Sequence, residues 1–366
     1  MELALGLMSG TSMDGIDAAI IATDGDSVGE SFGAITIPYP DDLRRTLLAV
    51  AADPACAEAD PLAEIERAVT VANADAVRAL LAESRIAVSA ISVIGLHGQT
   101  VLHRPQRRFT RQLGDGALLA RVTGIDVVAG FRLADVAAGG QGAPLAPLYH
   151  QALARALPQP LAVLNLGGVA NVTYIDGAML LAFDTGPANA MIDDWVRRQT
   201  GQAYDADGQI ARSGRVDTSR LARLLASHYF TKAPPKSLDR NDFPLSSVDG
   251  LSLADGAATL AAFTVASVAA ARDHLPAAPL RWLVTGGGRH NKTLMDGLAD
   301  ALHVPVQPVE TVGWQGDALE AQAFAFLAQR SRRGLPLSLP STTGVPHPLS
   351  GGTLSRASFP VGTSPS

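Results

Sequence analysis

Cysteine is almost missing from this chain: its 366 residues include one, Cys56. No disulfide can therefore form within it, a reducing compartment is expected, and a catalytic thiol is disfavoured. An excess of basic charge is missing too. There are 29 Lys and Arg against 35 Asp and Glu, a formal net charge of -6. That argues against a general nucleic-acid binder, which needs a basic surface to neutralise phosphates. No apolar run reaches the roughly 18 residues of a membrane span. The nearest, Asp255 to Arg272, is broken by Thr259, Thr264 and Ser267 and reads as a buried helix. The opening MELALGLMSGTSMDG lacks the basic region of a signal peptide. These absences together point to a cytoplasmic protein with no membrane or nucleic-acid partner.

What is present is apolar residues, at 47%, with 35 Gly and 23 Pro. The length suffices for two domains, each with its own core. Residues 3–9 and 16–23 read as strands around a Gly-containing tip, a β-hairpin, and a third strand is expected over 31–37. Helices are predicted over 41–51 and 60–83, the second opening on an Asp60-Pro61 cap. The run AISVIGLHGQT reads as a strand entering a polar loop. A helix over 115–123, a strand over 125–130 and a helix near 146–157 complete the first half. Leu157-Pro158-Gln159-Pro160 is then a natural connection between a lobe of residues 1–157 and one of residues 158–366, with the C-terminal helix or tail free to pack back on the first lobe.

Residues 161–175, LAVLNLGGVANVTYI, repeat the strand, Gly turn, strand pattern, so each lobe opens with a similar hairpin. Beyond it, helices over 187–200, 217–228, 255–273, 290–302 and 316–333 alternate with strands over 179–183, 281–285 and 304–309, as in α/β lobes. The tail from Leu335 reads as extended with a disordered end.

Several glycine-rich motifs fit chemistry. Ser9-Gly10-Thr11-Ser12-Met13-Asp14-Gly15 is either an ordinary hairpin turn or a concavity whose N–H groups hold phosphate oxygens. In the second case Asp14 can hold magnesium through water. Asn165-Leu166-Gly167-Gly168 is its counterpart in the second half. Apolar MLLAF delivers Asp184 to the carboxyl end of a strand, where open α/β sheets bind ligands. There it is a candidate general base, or else an N-cap of the next helix, with Pro187 in its first turn. Asp193 and Asp194 read as surface or lobe-edge charges. Gly286-Gly287-Gly288, running on to Asn291, lets an adenine or phosphate lie against bare backbone at a helix start, or is simply a tight turn. It lacks both the dinucleotide and the P-loop spacing, and His290 has no metal-ligand partner nearby. His97, Gln99, Thr100, Arg104, Arg132 and Gln141 lie in predicted polar loops and suit sugar hydroxyls and a carboxylate. Glu320 either faces a ligand or complements its helix dipole.

The order of these motifs resembles the actin, hexokinase and sugar-kinase superfamily. Within it, GLMSGTSMDGIDAAI, GLHGQTVLHRP, VAAGGQGAPLAPLYH, LNLGGVANVTYI, FDTGPANAMID, LVTGGGRHN and EAQAFAFLAQR are similar to the anhydro-N-acetylmuramic acid kinase family, over roughly residues 3 to 350. Leu96 and Gly130 depart from residues common there, Ser and an acidic side chain. The resemblance implies an α/β, two-lobed actin/hexokinase-like (ribonuclease H-like) kinase with an ATP cleft between the lobes. It implies a 1,6-anhydro-amino-sugar as substrate, ATP with Mg²⁺, and a homodimer. It carries ATP contact to Gly10, Thr11, Ser12, Met13, Asp14, Gly15, Ile16, Asp17, Asn165, Gly167, Gly168, Gly286, Gly287, Gly288 and Asn291. It carries sugar contact to His97, Gln99, Thr100, Arg104, Arg132, Gln141 and Glu320, and catalysis to Asp184. The alternatives are a kinase for another anhydro-sugar such as levoglucosan, a non-catalytic sensor, which Asp184 argues against, and a chaperone-like or filament-forming ATPase, for which no peptide-binding appendage is present.

Overall fold

The computed structural model describes residues 1–59, 62–240 and 242–357. The expected Asp60-Pro61 cap and the end of the tail lie outside them. The chain divides into two compact units. The first comprises Met1–Leu153 and the chain from Ala318 onward; the second is Ala154–Asp317.

The first unit contains β1 (Glu2–Ser9), β2 (Gly15–Thr23), β3 (Val28–Pro38), α1 (Asp41–Ala52), α2 (Pro54–Glu58), α3 (Ala63–Ser84), β4 (Ile91–Arg104), β5 (Phe109–Leu113), α4 (Gly116–Thr123), β6 (Val127–Ala129), α5 (Leu133–Ala137) and α6 (Pro147–Ala154), whose last residue opens the second unit. Its sheet runs β12-β6-β4-β1-β2-β3, β12 being the late strand Thr353–Ser355, with β5 beside β4. The β1–β2 pair is antiparallel, Met8 facing Asp17, whereas β1 and β4 run parallel. One face buries Leu5, Leu7, Ile16, Ile20, Ile94 and Leu96 with the apolar sides of α1 and α3.

The second unit contains β7 (Leu161–Leu166), β8 (Val169–Asp176), β9 (Met179–Pro187), α7 (Asn189–Thr200), α8 (Gln209–Ser213), α9 (Thr218–Leu225), α10 (Leu253–Ala271), β10 (Trp282–Thr285), α11 (Lys292–Leu302) and β11 (Val306–Pro308). The strand order is β11-β10-β7-β8-β9, parallel through β11-β10-β7 and antiparallel through β7-β8-β9. Helix α10, with the helical turn that follows it to His274, is long and apolar enough to cross a membrane by length and composition. It is nevertheless the core helix of this unit, burying Leu260, Phe263, Thr264 and Val268.

The last helix, α12 (Leu319–Arg332), and strand β12 (Thr353–Ser355) belong to the first unit. The placement of 318–357 in a C-terminal lobe is thus corrected, in the direction of the packing back that the sequence left open. The boundary also falls ahead of Leu157-Pro158-Gln159-Pro160. The physical reason is a notch in the first sheet. Gly6 and Gly95 are register partners on β1 and β4. A Cβ at Gly6 would stand 1.8 Å from the Ala321 carbonyl oxygen, and one at Gly95 2.1 Å from that of Phe324. Only bare backbone lets α12 lie this close. Gln322 then reaches the Tyr149 hydroxyl at 3.0 Å inside the same unit.

Two further expectations change. The polar run after Gly95 is not a loop: β4 continues to Arg104 because β5 pairs with it, Gln99 opposite Leu113 and His103 opposite Thr110. Pro187 is not in the first turn of α7 but ends β9, opposite Val169.

Candidate active site

In the first unit, Ser9 ends β1 and Gly15 begins β2, leaving Gly10–Asp14 as the connecting turn. It closes with the Met13 N–H donating to the Gly10 carbonyl at 3.2 Å. Met13 takes a left-handed φ of 52° and buries its side chain. Four contacts pin the turn from below. Ser9 Oγ meets the Tyr39 hydroxyl at 2.9 Å, and Gln99 Nε2 donates to the Gly10 carbonyl at 3.0 Å. Arg44 Nε donates to the Met13 carbonyl at 3.0 Å, and the Tyr39 N–H to that of Asp14 at 3.2 Å. Thr11, Ser12 and Asp14 stay exposed at the tip, with Ser12 Oγ donating to Asp14 Oδ1 at 2.8 Å. Such a turn presents hydroxyls and a carboxylate on a rigid base. Met13 and Ile16, both grouped with the nucleotide contacts, point into the apolar core. Asp17 sits on β2 and accepts from Thr36 Oγ1 at 2.6 Å.

A second group forms in the same unit around His97. Arg132 donates from Nε and Nη2 to His97 Nε2 at 3.2 and 2.9 Å, and from Nη1 to the Gly142 carbonyl at 2.6 Å. Burial, reinforced by the Arg132 charge, drives the His97 pKa well below its usual value, so its imidazole is neutral and accepts at Nε2. Burial raises the carboxyl pKa of half-buried Glu320; the Arg132 charge opposes this and that of Asp17 adds to it. Arg132, Glu320 and Asp17 are therefore electrostatic neighbours. His103 Nε2 contacts the Gln141 carbonyl at 2.8 Å, and Gln112 Nε2 donates to Thr100 Oγ1 at 3.3 Å. Arg104 does not join: it pairs with Glu58 at 3.2 Å, beside Arg107 at 2.8 Å. The two departures from the resemblance have local reasons. Gly130 takes φ +69°, a region costly for a side chain, and Leu96 is buried in the core.

In the second unit the Gly167-Gly168 turn joins β7 to β8, and its carbonyls accept the first N–H groups of α7. Asn189 N donates to Gly167 O at 3.0 Å and Ala188 N to Gly168 O at 3.1 Å. The late glycine loop lies against this turn. Gly286 has φ +77°, and a Cβ there would stand 2.3 Å from Asn165 Oδ1; one at Gly288 would stand 2.5 Å from Leu166 Cβ. Gly287 differs, since its Cβ would meet only Asn189 Nδ2, at 4.0 Å. Two of the three glycines thus serve packing, and one leaves open space. Asn291 accepts the Leu294 N–H at 3.1 Å as the cap of α11. Arg289, which sequence reasoning passed over, is buried, pairs with Glu310 at 2.9 Å and Asp317 at 2.8 Å, and donates to the Gly286 carbonyl at 3.0 Å. Asn189 was likewise missed, and its Nδ2 donates to the Leu166 carbonyl at 2.8 Å.

Asp184, on β9 of the same unit, is 7% exposed. It does not cap α7. Its Oδ2 accepts the Leu238 N–H at 2.8 Å, its N–H donates to the Lys236 carbonyl at 3.0 Å, and its carbonyl accepts the Tyr229 hydroxyl at 2.5 Å. A carboxylate held in this way is ready to accept a proton in a fixed direction. Asp193 is not a surface charge: it is half-buried, and burial pushes its carboxyl up to about 7, against the pull of Arg197. Asp194 pairs with Arg240 at 2.7 Å and Arg197 at 3.1 Å.

Comparison with known proteins places the chain. The sequence profile of the family described as anhydro-N-acetylmuramic acid kinase matches residues 2–357. A protein of that name from Rhodospirillum rubrum is 56% identical over 363 residues, covering 99% of this chain and 96% of its own. One from Acidiphilium cryptum is 55% identical over 359 residues, covering 96% and 98%. Among solved structures, component A of the (R)-2-hydroxyglutaryl-CoA dehydratase of Acidaminococcus fermentans superposes with a TM-score of 0.51 at 11% identity, over 91% of this chain and 100% of that one, a likeness of fold alone. The fold is α/β, like that of this component. The chain belongs to the anhydro-N-acetylmuramic acid kinase family.

Proposed function

We propose that this member of the anhydro-N-acetylmuramic acid kinase family uses Asp184 to drive its reaction, the ATP-dependent opening and phosphorylation of 1,6-anhydro-N-acetylmuramic acid in peptidoglycan recycling. The products are N-acetylmuramic acid 6-phosphate and ADP. The observation that carries the reading is the buried carboxylate of Asp184, oriented by the Leu238 N–H at 2.8 Å. Asp184 takes a proton from water as the water oxygen bonds to the anomeric carbon. The C1–O6 bond breaks, O6 bonds to the γ-phosphorus, and ADP leaves. A glycosidase needs a second carboxyl to protonate its leaving oxygen; here the phosphoryl group takes that oxygen, so one base suffices.

The other residues act by positioning. In the first unit the Gly10–Asp14 turn offers backbone and hydroxyl donors suited to phosphate oxygens; in the second the Gly167-Gly168 turn offers bare backbone, and the open face at Gly287 suits a nucleoside. Gln99, Thr100, Gln141 and the His97–Arg132–Glu320 group suit the sugar. Arg104, engaged with Glu58, is set aside from it. Among the described residues no cluster of three or more His, Cys, Asp or Glu is placed to hold a metal ion. Asp14 would hold a magnesium ion through water, and the ion would supply charge neutralisation for the phosphates. A homodimer in the cytoplasm completes the reading.

The test is an ADP-release assay over a panel of 1,6-anhydro-sugars with mass spectrometry of the product. Turnover with the muramic substrate and mass gain of one water plus one phosphoryl group is expected. Preference for levoglucosan, or a product without the added water, contradicts the reading.

A further inference from the structure

Lys236 is a buried cation with no part in the chemistry above. It is 2% exposed, and among the described residues no carboxylate lies within ion-pair distance of its Nζ. Nζ donates to the Tyr229 carbonyl at 3.0 Å and lies 3.3 Å from His274 Nε2. It faces the Tyr229 ring at 4.7 Å and the Phe183 ring at 5.6 Å. His274 Nε2 is also 3.0 Å from the Phe230 carbonyl. With its proton on Nδ1, the imidazole accepts from Lys236; with its proton on Nε2, it donates to Phe230. Either tautomer ties the 229–238 segment to the turn after α10.

Burying a cation without a countercharge is unfavourable. Burial, with the nearby Lys232, pushes the Lys236 pKa down to about 8. Replacing a buried charge by an apolar side chain of similar volume is often neutral or stabilising, so stability alone does not account for the ammonium. What it grips is informative. The same short segment supplies three contacts to Asp184: the Tyr229 hydroxyl to its carbonyl, the Lys236 carbonyl to its N–H, and the Leu238 N–H to its carboxylate. Phe183, the residue before Asp184, packs its ring edge-on to His274 at 5.8 Å. We propose that Lys236 is a positioning residue for Asp184, its ammonium clamping Tyr229 and His274 so that the Leu238 N–H holds the carboxylate in line with the attacking water. The inference rests on the assignment of Asp184 as base.

The experiment compares Lys236→Met, Tyr229→Phe and Asp184→Asn in the full chain, measuring kcat, KM for ATP and for the anhydro-sugar, and melting temperature. A small error in a base's position costs one to two orders of magnitude. Lys236→Met is expected to lower kcat about 10-fold, with KM for ATP within about two-fold and a melting temperature equal to or above that of the parent. Tyr229→Phe, which removes only the hydroxyl gripping the Asp184 carbonyl, is expected to lower kcat several-fold with both KM values preserved. Unchanged kcat in folded Lys236→Met, or a fall in its kcat accompanied by a lower melting temperature, overturns the inference. If Lys236→Met does not fold, unchanged kcat in Tyr229→Phe overturns it as well. Activity surviving in Asp184→Asn would remove the base assignment itself. An inactive Asp184→Asn beside two fully active clamp variants would remove the clamp alone.

Discussion

The three consecutive glycines at 286–288 make separable predictions, because their surroundings differ. At Gly286 the backbone φ is +77°, and an added Cβ would press on Asn165 Oδ1 at 2.3 Å and the Leu166 carbonyl oxygen at 2.7 Å. With ψ at 169° this is a backbone region essentially confined to glycine, where a side chain costs about 1–3 kcal/mol, and forcing atoms into a packed contact adds about 1–3 kcal/mol. Gly286→Ala is therefore expected to destabilise the fold by about 2–6 kcal/mol. At Gly287 the nearest atom to an added Cβ is Asn189 Nδ2 at 4.0 Å, so Gly287→Val should leave folding within about 0.5 kcal/mol of the parent, as for a surface change. Its β-branched side chain instead fills space assigned to the nucleotide. A loss of at least about 10-fold in ATP affinity, about 1.4 kcal/mol, is expected. Denaturant unfolding and titration calorimetry read the two effects independently. ATP binding unchanged in folded Gly287→Val would refute the nucleotide assignment of this loop.

Three other outcomes follow from the structure. Asp184→Asn should lower kcat by at least about 100-fold while calorimetry shows ATP bound as before, since the amide keeps the shape without the base; near-normal turnover would remove Asp184 from the mechanism. Gly6→Ala should destabilise the chain by about 2–3 kcal/mol, seen as a lower melting temperature, because its Cβ meets the Ala321 backbone oxygen that α12 needs close to β1; an unshifted melt would show that α12 can move away at little cost. The Asp193 carboxyl, raised to about 7 by burial, takes up protons on folding, so its contribution is present at low pH and lost as pH rises through about 7. Asp193→Asn should accordingly stabilise by about 1–2 kcal/mol at pH 8, allowing for solvent screening, and much less at pH 5, as thermal melts at the two values would reveal; equal effects at both would contradict the buried carboxylate.

Local signals in the sequence were legible where one pattern decided the structure. Both hairpins could be read from alternating apolar residues flanking Gly10–Asp14 and Gly167-Gly168, and Asp184 from an apolar strand that carries it. Where pairing partners decide, the sequence misled. His97, Gln99 and Thr100 look like loop because they are polar, yet all three lie in one long strand, β5 pairing with its Gln99–Arg104 end, where they meet Arg132, the Gly10 carbonyl and Gln112. The placement of α12 depends on a glycine pair distant in sequence, Gly6 and Gly95, that becomes a notch only once β1 and β4 lie side by side. The donor that orients Asp184 is a backbone N–H at Leu238, and backbone donors leave no mark in a side-chain alphabet. Asp193 stands one turn into an amphipathic helix, where spacing alone does not distinguish a half-buried acid from an exposed one.

The central claim is that Asp184 directs water to the anomeric carbon while O6 takes the phosphoryl group. Reaction in ¹⁸O-labelled water, with mass spectrometry of the sugar product and of free phosphate, tests it directly. The account predicts label on C1 of N-acetylmuramic acid 6-phosphate and none in its phosphoryl group, because O6 comes from the sugar. Label in the phosphoryl group or in free phosphate, or a phosphorylated sugar whose anhydro bridge is still closed, would contradict it.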